Sequence, residues 1–334
     1  MKIAVLALDG VFDSGISAVL DVLHCANALR GQLAGAAPPA FEIHTVGVRR
    51  RVRTGLGHRI DAEPASAAQG AGLLVLPALM ERRPAALLET VASPAHRSAR
   101  RLLAEARERR TPLASSCTGT FLLAESGVLD GLRATTSWWL APVFRDRYRR
   151  VTLEEARMVT TSDGVTTAGA AFGHLDLALS VVGMRSPALA DLVRHYLVVD
   201  DRASQAAYAI PGAMARHDPL VAAFEQWARA RIAEPLSIAE AARDLGVSER
   251  TLQRTMARTL GCSPIRLVQD LRVEQAEHLL RTTALPLAAV ARRVGYESPG
   301  PLRALLRRRS GSGPGRAGPG RGPASGAPRT GGGP

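Results

Sequence analysis

The feature that most constrains the fold is an internal repeat in the last third of the chain. Leu236–Gly246 aligns with Leu285–Gly295, and each copy has an apolar segment that ends at a glycine and is followed by a second apolar segment. The spacing predicts two short helices joined by a tight turn, where glycine permits a positive φ. The expected buried residues are Ile238, Ala242, Leu245, Val247, Leu252, Met256 and Leu260 in the first copy and Leu287, Val290, Ala291, Val294, Tyr296, Leu302 and Leu306 in the second. This is helix-turn-helix spacing.

The faces that this packing leaves exposed are basic and polar. Arginine bonds guanine bidentately and also binds phosphates, and glutamine bonds adenine. We therefore expect double-stranded DNA to be bound by residues at the start and along the outer face of each second helix. These candidate DNA-binding residues are Ser248, Glu249, Arg250, Gln253, Arg254, Ser298, Arg303 and Arg307.

One long helix is predicted between the two copies, over Pro264–Thr282, with Val268, Leu271, Leu279 and Leu280 facing inward. Ser263-Pro264 is a typical helix start, because serine caps free N–H groups and proline suits the first helical position. A rigid spacer of this kind would place two recognition helices in successive major grooves, about 34 Å apart.

Residues 217–309 resemble the AraC/XylS-type DNA-binding domain of bacterial transcription regulators. The resemblance rests on the two repeats, the linker segment Arg272–Leu280, and Gly295-Tyr296 followed by Ser298-Pro299. It implies an all-α domain with two helix-turn-helix units, operator or promoter DNA as partner, and RNA polymerase as a further partner. Such regulators usually end with a short helix that begins at proline and carries an aromatic residue, and this chain has a Gly/Pro-rich segment there instead.

The first half of the chain has a different pattern, in which short apolar runs alternate with amphipathic segments. This alternation predicts a doubly wound, mostly parallel sheet with helices on both faces. The predicted helices include Ile16–Leu29, Pro84–Arg109 and Phe121–Ser126. The predicted strands are Lys2–Leu8, Phe41–Val48, Gly72–Pro77, Pro112–Ser116, Ala134–Trp138, Arg157–Thr161 and Val165–Ala168.

Cys117 lies where one of these strands turns sharply into a helix, in Pro112–Glu125. A residue in such a turn stands at the carboxyl end of the sheet, where open α/β folds bind ligands. The helix N-terminus behind it would stabilise an anion or a thiolate. The sequence therefore predicts a ligand pocket at Cys117, and an inert buried thiol is the alternative.

This segment, together with Leu129–Trp139, resembles the PfpI/ThiJ-like superfamily, which is related to class I glutamine amidotransferases. Over residues 1–309 the chain resembles GlxA-type regulators, in which this flavodoxin-like domain precedes an AraC-type domain. The superfamily's enzymes use a cysteine, a histidine and an acid. Cys117 matches the cysteine, and Asp13 matches the acid. Ser137 occupies the position of the expected histidine, and serine cannot act as a base near neutral pH. We therefore predict a non-catalytic pocket formed by Asp13, Cys117, Thr118 and Ser137, with His174 a weaker candidate for a base.

The expected division of the chain is a sensor domain over residues 1–186, a helical linker over 187–216, the DNA-binding domain over 217–309, and a disordered Gly/Pro/Arg tail over 310–334. The net charge is +13, and ten arginines against one acid in residues 281–334 favour a polyanionic partner. Three widely spaced cysteines favour the reducing cytoplasm. No metal-ligand spacing, nucleotide motif or membrane span is present, so no cofactor and no membrane partner is expected.

These observations favour a DNA-binding transcription regulator, expected to be a homodimer that responds to an unknown small-molecule effector. Two alternatives remain open from sequence. One is an enzyme, a PfpI-like cysteine hydrolase, amidase or glyoxalase-type protein with an accessory DNA-binding domain. The other is a non-specific nucleic-acid binder that acts through the arginine-rich tail.

Overall fold

A computed structural model describes residues 1–200, 202, 204–205 and 218–309. In these ranges the first 200 residues contain one seven-stranded sheet and two small two-stranded sheets. The large sheet has the order β10-β11-β7-β6-β1-β2-β5. Its strands are β1 (Lys2–Ala7), β2 (Glu42–Gly47), β5 (Glu63–Pro64), β6 (Leu73–Leu76), β7 (Leu113–Ser116), β10 (Val159–Ser162) and β11 (Val165–Ala168). The small sheets are β3 (Arg51–Arg53) with β4 (Arg59–Asp61), and β8 (Arg133–Ala134) with β9 (Thr152–Leu153).

The five central strands run parallel, and β10 alone pairs antiparallel within the large sheet. Numbered in chain order, β2, β1, β6, β7 and β11 form the order 2-1-3-4-5 of flavodoxin-like folds. The predicted fold class is therefore confirmed. The pattern arises because β1 is apolar on both sides: Ile3 and Val5 enter one core and Ala4 and Leu6 enter the other.

Helices cover both faces of the sheet. One face packs against α1 (Asp13–Leu29), α6 (Gly173–Arg185) and α7 (Pro187–Leu197). The other packs against α2 (Pro84–Ala92), α3 (Arg97–Glu108), α4 (Gly119–Glu125) and α5 (Ala141–Arg147). Each face has its own apolar core, as expected for a doubly wound sheet.

Two sequence predictions in this half were wrong. The segment Pro84–Arg109 is two helices, because Pro94 has no backbone N–H to continue the first. The predicted strand Ala134–Trp138 has only its first residue in β8, and Trp138–Leu140 forms a 3-10 turn instead. Residues 135–137 are fully buried: the Thr135 N–H donates to the Thr167 Oγ1 on β11, and the Thr136 Oγ1 donates to the Cys117 carbonyl oxygen.

Helix α7 begins where the predicted linker begins, yet it packs into the core of the α/β unit. Leu189, Ala190 and Val193 join the cluster formed by α1 and α6. Residues 206–216 of the predicted linker and the predicted tail 310–334 lie outside the described residues. The domain boundaries proposed from sequence stay predictions.

The described residues from 218 onward are helical, and side chains cap four of the helix starts. The helices are α8 (Pro219–Ala230), α9 (Ile238–Asp244), α10 (Glu249–Leu260), α11 (Pro264–Thr282), α12 (Leu287–Arg293) and α13 (Pro299–Arg309). Asp218, Ser237, Ser248 and Ser263 each accept a hydrogen bond from a first-turn backbone N–H. Within the described part of the chain, no helix has both the length and the apolar character that crossing a membrane requires.

Helix α11, predicted at Pro264–Thr282 and found there, connects two separate apolar cores. Leu267, Val268 and Leu271 pack with α8, α9 and α10. One turn later, Val273 and Ala276 pack with α12 and α13. Both predicted repeats therefore form, and they share one helix. The prediction for Leu280 was wrong, because that side chain is 38% exposed, beyond the end of the second core's buried stripe.

Leu271 and Leu280 lie on the same helix, and substitutions at the two positions test the difference between a buried and a half-exposed leucine. Replacing Leu271, which is fully buried, by alanine should lower the free energy of unfolding by about 2–5 kcal/mol, because it leaves a cavity in the first core. Leu280→Ala is the matched control and should change it by about 0.5 kcal/mol or less. Urea unfolding followed by circular dichroism measures both, and equal losses would contradict the assignment of the buried stripe.

Candidate functional site

The first helix-turn-helix unit is formed by α9 and α10. Gly246 lies in the turn between them with φ +69°, a conformation that favours glycine. Ser248 caps α10 through its Oγ, which accepts a 3.1 Å hydrogen bond from the Thr251 N–H. The buried face of α10 is Leu252, Met256 and Leu260, as predicted. The predicted DNA-binding residues are together on the opposite, exposed side of its first half: Ser248, Glu249, Arg250, Gln253 and Arg254.

The second unit, α12 and α13, repeats this arrangement. Gly295 has φ +81° in the turn, and Leu302 of α13 is fully buried. Ser298, Arg303 and Arg307 are exposed, as predicted for residues that contact DNA. Pro301 lies in the first turn of α13, where backbone N–H groups have no partner within the helix.

Arg272 of α11 joins the second unit to the segment that follows α8. Its guanidinium donates to the carbonyl oxygens of Ile232 (3.2 Å), Glu234 (2.7 Å) and Gly295 (3.0 Å). It also lies over the Tyr296 ring, 5.2 Å from the centroid. A Cβ on Gly295 would come within 2.6 Å of the Arg272 Nη2 and of the Ile232 carbonyl oxygen. Glycine is therefore required here both by φ and by the close approach of neighbouring atoms.

Cys117 lies in the sharp turn between β7 and α4 and has φ +55°, an uncommon conformation for a residue with a side chain. Its N–H donates to the Ala168 carbonyl oxygen at 2.8 Å, which ties the turn to β11. A Cβ on Gly119 would approach the Ser115 Oγ to 2.4 Å, so only glycine allows α4 to begin this close to the sheet. The predicted strand-turn-helix geometry around Cys117 is present.

The Cys117 thiol is buried and is held by Ser137. The Ser137 Oγ donates a hydrogen bond to the Sγ at 2.8 Å, and both side chains are at most 5% exposed. Burial raises the pKa of the Cys117 thiol, and the hydrogen bond from Ser137 lowers it by less. Burial therefore favours the neutral thiol over the thiolate.

His174, the weaker candidate for a base, uses both ring nitrogens for backbone contacts. Its Nδ1 donates to the Ala171 carbonyl oxygen at 2.8 Å, and its Nε2 accepts from the Ala78 N–H at 3.0 Å. Burial lowers the pKa of His174 to about 4. The ring is thus a neutral structural group that ties α6 to the end of β6, next to α1, where Gly15 leaves room for it.

A cavity of about 240 Å³ opens beside the sulfur of Cys117. Cys117 and Thr118 line it, as predicted, and Ser137 lies behind the sulfur. The Thr118 Oγ1 exchanges two hydrogen bonds with the backbone of Leu79, of 2.7 and 2.8 Å, and so holds the facing wall. The full lining is Phe12, Ala78, Leu79, Met80, Glu81, Arg82, Cys117, Thr118, Trp139 and Ala171.

Asp13 does not join this lining and has a different set of contacts. It accepts hydrogen bonds from the Leu56 N–H at 3.0 Å and from His58 at 2.7 Å, on the hairpin of β3 and β4. Burial raises the pKa of Asp13, but hydrogen bonds from Thr54, His58 and Leu56 outweigh it and lower the pKa overall. Asp13 therefore holds the hairpin against the start of α1.

The sequence did not indicate the cavity wall at Met80–Arg82 or the buried amide of Gln205, because neither segment has a motif or a periodic pattern. Gln205 is fully buried, and its amide bridges the backbone of Thr136 and Glu155. Over the described ranges, no three His, Cys, Asp or Glu side chains are grouped so that they could hold a metal ion.

The buried thiol leads to a pH prediction. Because burial disfavours the thiolate, alkylation of Cys117 by iodoacetamide should keep accelerating as pH rises from about 6 to about 10, without a plateau near neutrality. Ser137→Ala should slow the reaction at each pH, because it removes a hydrogen bond to the sulfur. Peptide mass spectrometry measures the rate at Cys117 separately from Cys25 and Cys262. A plateau near pH 7 would show an activated thiolate instead.

The chain is similar to known proteins in both halves. Residues 241–317 match the family described as a helix-turn-helix domain. Over 187 residues the chain is 28% identical to the HTH-type transcriptional regulator GlxA of Rhizobium meliloti, which covers 54% of this chain and 57% of that protein. Over 202 residues it is 26% identical to the HTH-type transcriptional regulator GbdR of Pseudomonas aeruginosa, with coverage of 59% and 54%.

The alignments span about half the length of these curated relatives. Among solved structures, an AraC family transcriptional regulator from Pseudomonas putida matches with a TM-score of 0.48 and 22% identity, over 59% of this chain and 98% of that one. The flavodoxin-like strand order, the Cys117 turn and the two helix-turn-helix units agree with the resemblance found in the sequence. The chain is therefore similar to GlxA-type transcriptional regulators, and its last third matches a helix-turn-helix domain.

Proposed function

We propose that the protein is a sequence-specific DNA-binding transcription regulator. The observation that carries this proposal is the pair of helix-turn-helix units on one shared helix, each with a polar, arginine-bearing face left exposed. Gln253 and Arg254 on α10, and Arg303 on α13, have the side chains that discriminate bases in the major groove. Ser248 and Ser298 stand at the starts of these helices, where a side chain approaches the phosphate backbone.

The α/β unit, over residues 1–186 by our domain division, is proposed to bind a small-molecule effector at the Cys117 cavity. Phe12 and Trp139 supply aromatic walls, and Glu81 and Arg82 bring both signs of charge to the rim. Small-molecule sites are commonly apolar concavities with a few polar groups that fix orientation. The cavity lies at the carboxyl end of the parallel strands, where open α/β folds bind ligands.

We propose a binding role rather than catalysis for this cavity. A cysteine hydrolase needs a base within reach of the thiol, and the group that faces the Cys117 sulfur is the Ser137 hydroxyl. His174 already uses both nitrogens. The matched relatives GlxA and GbdR are themselves described as transcriptional regulators. Thr118 then serves to hold the wall of the cavity through its two hydrogen bonds to Leu79.

The proposal includes partners beyond DNA. A homodimer would double the DNA contacts and place four helix-turn-helix units on one operator, which strengthens binding by raising the effective concentration of the second protomer. RNA polymerase is the partner through which a regulator would act on transcription. Contact with chromosomal DNA requires the cytoplasmic location that the cysteine content predicts.

DNA binding is tested by fluorescence anisotropy with fragments from upstream of the gene and a scrambled fragment, across a salt series. Replacing Gln253 and Arg254 by alanine should weaken binding to the preferred fragment by about 10- to 100-fold per lost base contact. Arg101→Ala on α3 removes the same charge far from either unit and is the control. Equal binding to all fragments with a steep salt slope would indicate phosphate contacts alone and would contradict the proposal.

The binding role of the cavity is tested by Cys117→Ala. The variant should keep the wild-type preference among DNA fragments, with affinity within about two-fold, because Cys117 is far from the exposed faces of α10 and α13. If a metabolite extract changes DNA binding by the wild type and changes it differently in Cys117→Ala, effector binding at the cavity is supported. Turnover of amide or aldehyde substrates by the wild type, abolished in Cys117→Ala, would establish the hydrolase or glyoxalase alternative instead.

A further inference from the structure

The α/β unit and the first helix-turn-helix unit contact each other at the last turn of the recognition helix α10. Arg145 of α5 donates from Nη1 to the Arg258 carbonyl oxygen at 3.2 Å. The last carbonyls of a helix have no partner within the helix and carry partial negative charge, so a guanidinium satisfies both needs. Arg145 is at the same time ion-paired with Glu155 of the α/β unit, and about 70% of each side chain is shielded from solvent.

Gly261 shows how closely the two units fit. It ends α10 with φ +66°, and a Cβ at this position would lie 2.9 Å from both the Arg145 Nη2 and the Glu155 Oε1. Two separate reasons therefore favour glycine: the backbone conformation and the close approach of the Arg145–Glu155 pair. Burial raises the pKa of Glu155, and Arg145 opposes this, so the carboxylate depends on its partner.

The backbone of Glu155 is tied to the cavity side through Gln205. The Gln205 Nε2 donates to the Glu155 carbonyl oxygen at 2.8 Å and to the Thr136 carbonyl oxygen at 2.7 Å. Its Oε1 accepts from the Trp138 N–H at 3.2 Å. A side chain at Gly169 would overlap the Gln205 amide, so glycine leaves the space for it.

The segment that Gln205 holds is the one that contacts Cys117. The Thr136 Oγ1 donates to the Cys117 carbonyl oxygen at 2.7 Å, and the next residue, Ser137, donates to the sulfur. Trp139 on the same segment lines the cavity. A series of hydrogen bonds thus runs from the cavity to the end of α10, buried or half-buried up to Arg145 and exposed at the final contact with Arg258. We name it the Cys117–Arg258 relay, formed by Cys117, Thr136, Gln205, Glu155, Arg145 and Arg258.

We infer that the surface formed by Arg145 and Glu155 is the docking site for the first helix-turn-helix unit, and that the relay couples occupancy of the Cys117 cavity to the orientation of α10. This inference rests on the proposed function and adds its mode of regulation. The contacts with Arg145 and Glu155 lie at the end of α10, at Arg258 and Gly261, and Gln253 and Arg254 stay exposed. Docking therefore sets where the recognition face points and does not cover it.

Coupling between two sites is reciprocal, so the relay is testable before the effector is identified. If the cavity biases the docking of α10, then DNA that engages α10 must in turn bias the segments around the cavity. Hydrogen exchange of residues 113–121 and 133–140 in the full-length protein reports this change. The probe is the fragment that wild type prefers in the anisotropy experiment.

In wild type, the preferred fragment should change exchange in residues 133–140 by about five-fold or more, at the lower end of usual couplings. Arg145→Met removes the docking contacts and should abolish this change while keeping the preference for the fragment. Arg147→Met is the matched control, because Arg147 is on the same helix but pairs with Glu125 within the α/β unit. This variant should still show the change in exchange on binding DNA. Glu155→Gln should reduce the change in the same direction as Arg145→Met.

The possible outcomes separate the relay from the proposed function. If wild type prefers the fragment but the fragment leaves hydrogen exchange in residues 133–140 unchanged, the relay is overturned and the proposed function is not. An equal change in wild type and Arg145→Met also overturns it. Absence of any fragment preference in wild type overturns the proposed function, and the relay with it.

Discussion

The arrangement of both recognition helices depends on the buried stripe of α11. Its first half, at Leu267, Val268 and Leu271, completes the core of one helix-turn-helix unit, and its next turn, at Val273 and Ala276, completes the other. Neither unit is large enough to bury its apolar face alone, because two short helices leave one side of the pair open. The shared helix α11 covers the open side of both units. It also fixes the distance between the two units along a rigid axis. Arg272 adds directional bonds to this packing by bridging the second turn to the segment after α8.

In the α/β unit, the turn at Cys117 determines the geometry of the cavity. The turn after β7 places a side chain at φ +55° against the edge of the sheet, which is the geometry that enzymes use to present a nucleophile. Here the sulfur is buried and its hydrogen-bond partner is a hydroxyl, while both ring nitrogens of His174 bond to backbone groups. These contacts are the basis for the proposed binding role of the cavity.

Sequence patterns predicted the parts of the molecule whose structure is locally determined. The spacer helix Pro264–Thr282 was predicted with its observed bounds, because capping residues and apolar periodicity agree. The central strands were found because they are apolar on both faces. The predicted strand Ala134–Trp138 was wrong, because Thr135 and Thr136 bond to residues distant in sequence through side-chain hydroxyls rather than through a sheet ladder.

The candidate site was predictable only in part, for the same reason. Cys117 and Thr118 line the cavity because the strand-turn-helix motif that contains them determines the local geometry. Asp13 was assigned to the pocket by resemblance, but His58 and Leu56, more than forty residues away in sequence, hold it against a hairpin. Gln205 has no sequence signal, since its role arises entirely from the segments that fold around its amide. Long-range contacts of this kind carry no local pattern.

On the proposed function, both helix-turn-helix units engage DNA together from one rigid spacer. Hydroxyl-radical footprinting of the full-length protein on its preferred fragment tests this most directly. Two protected patches on one face of the duplex, with centres about 10–10.5 base pairs apart, are expected for each protomer, because that spacing places successive major grooves on the same side. A single protected patch per protomer, or protection without this phasing, would contradict the claim.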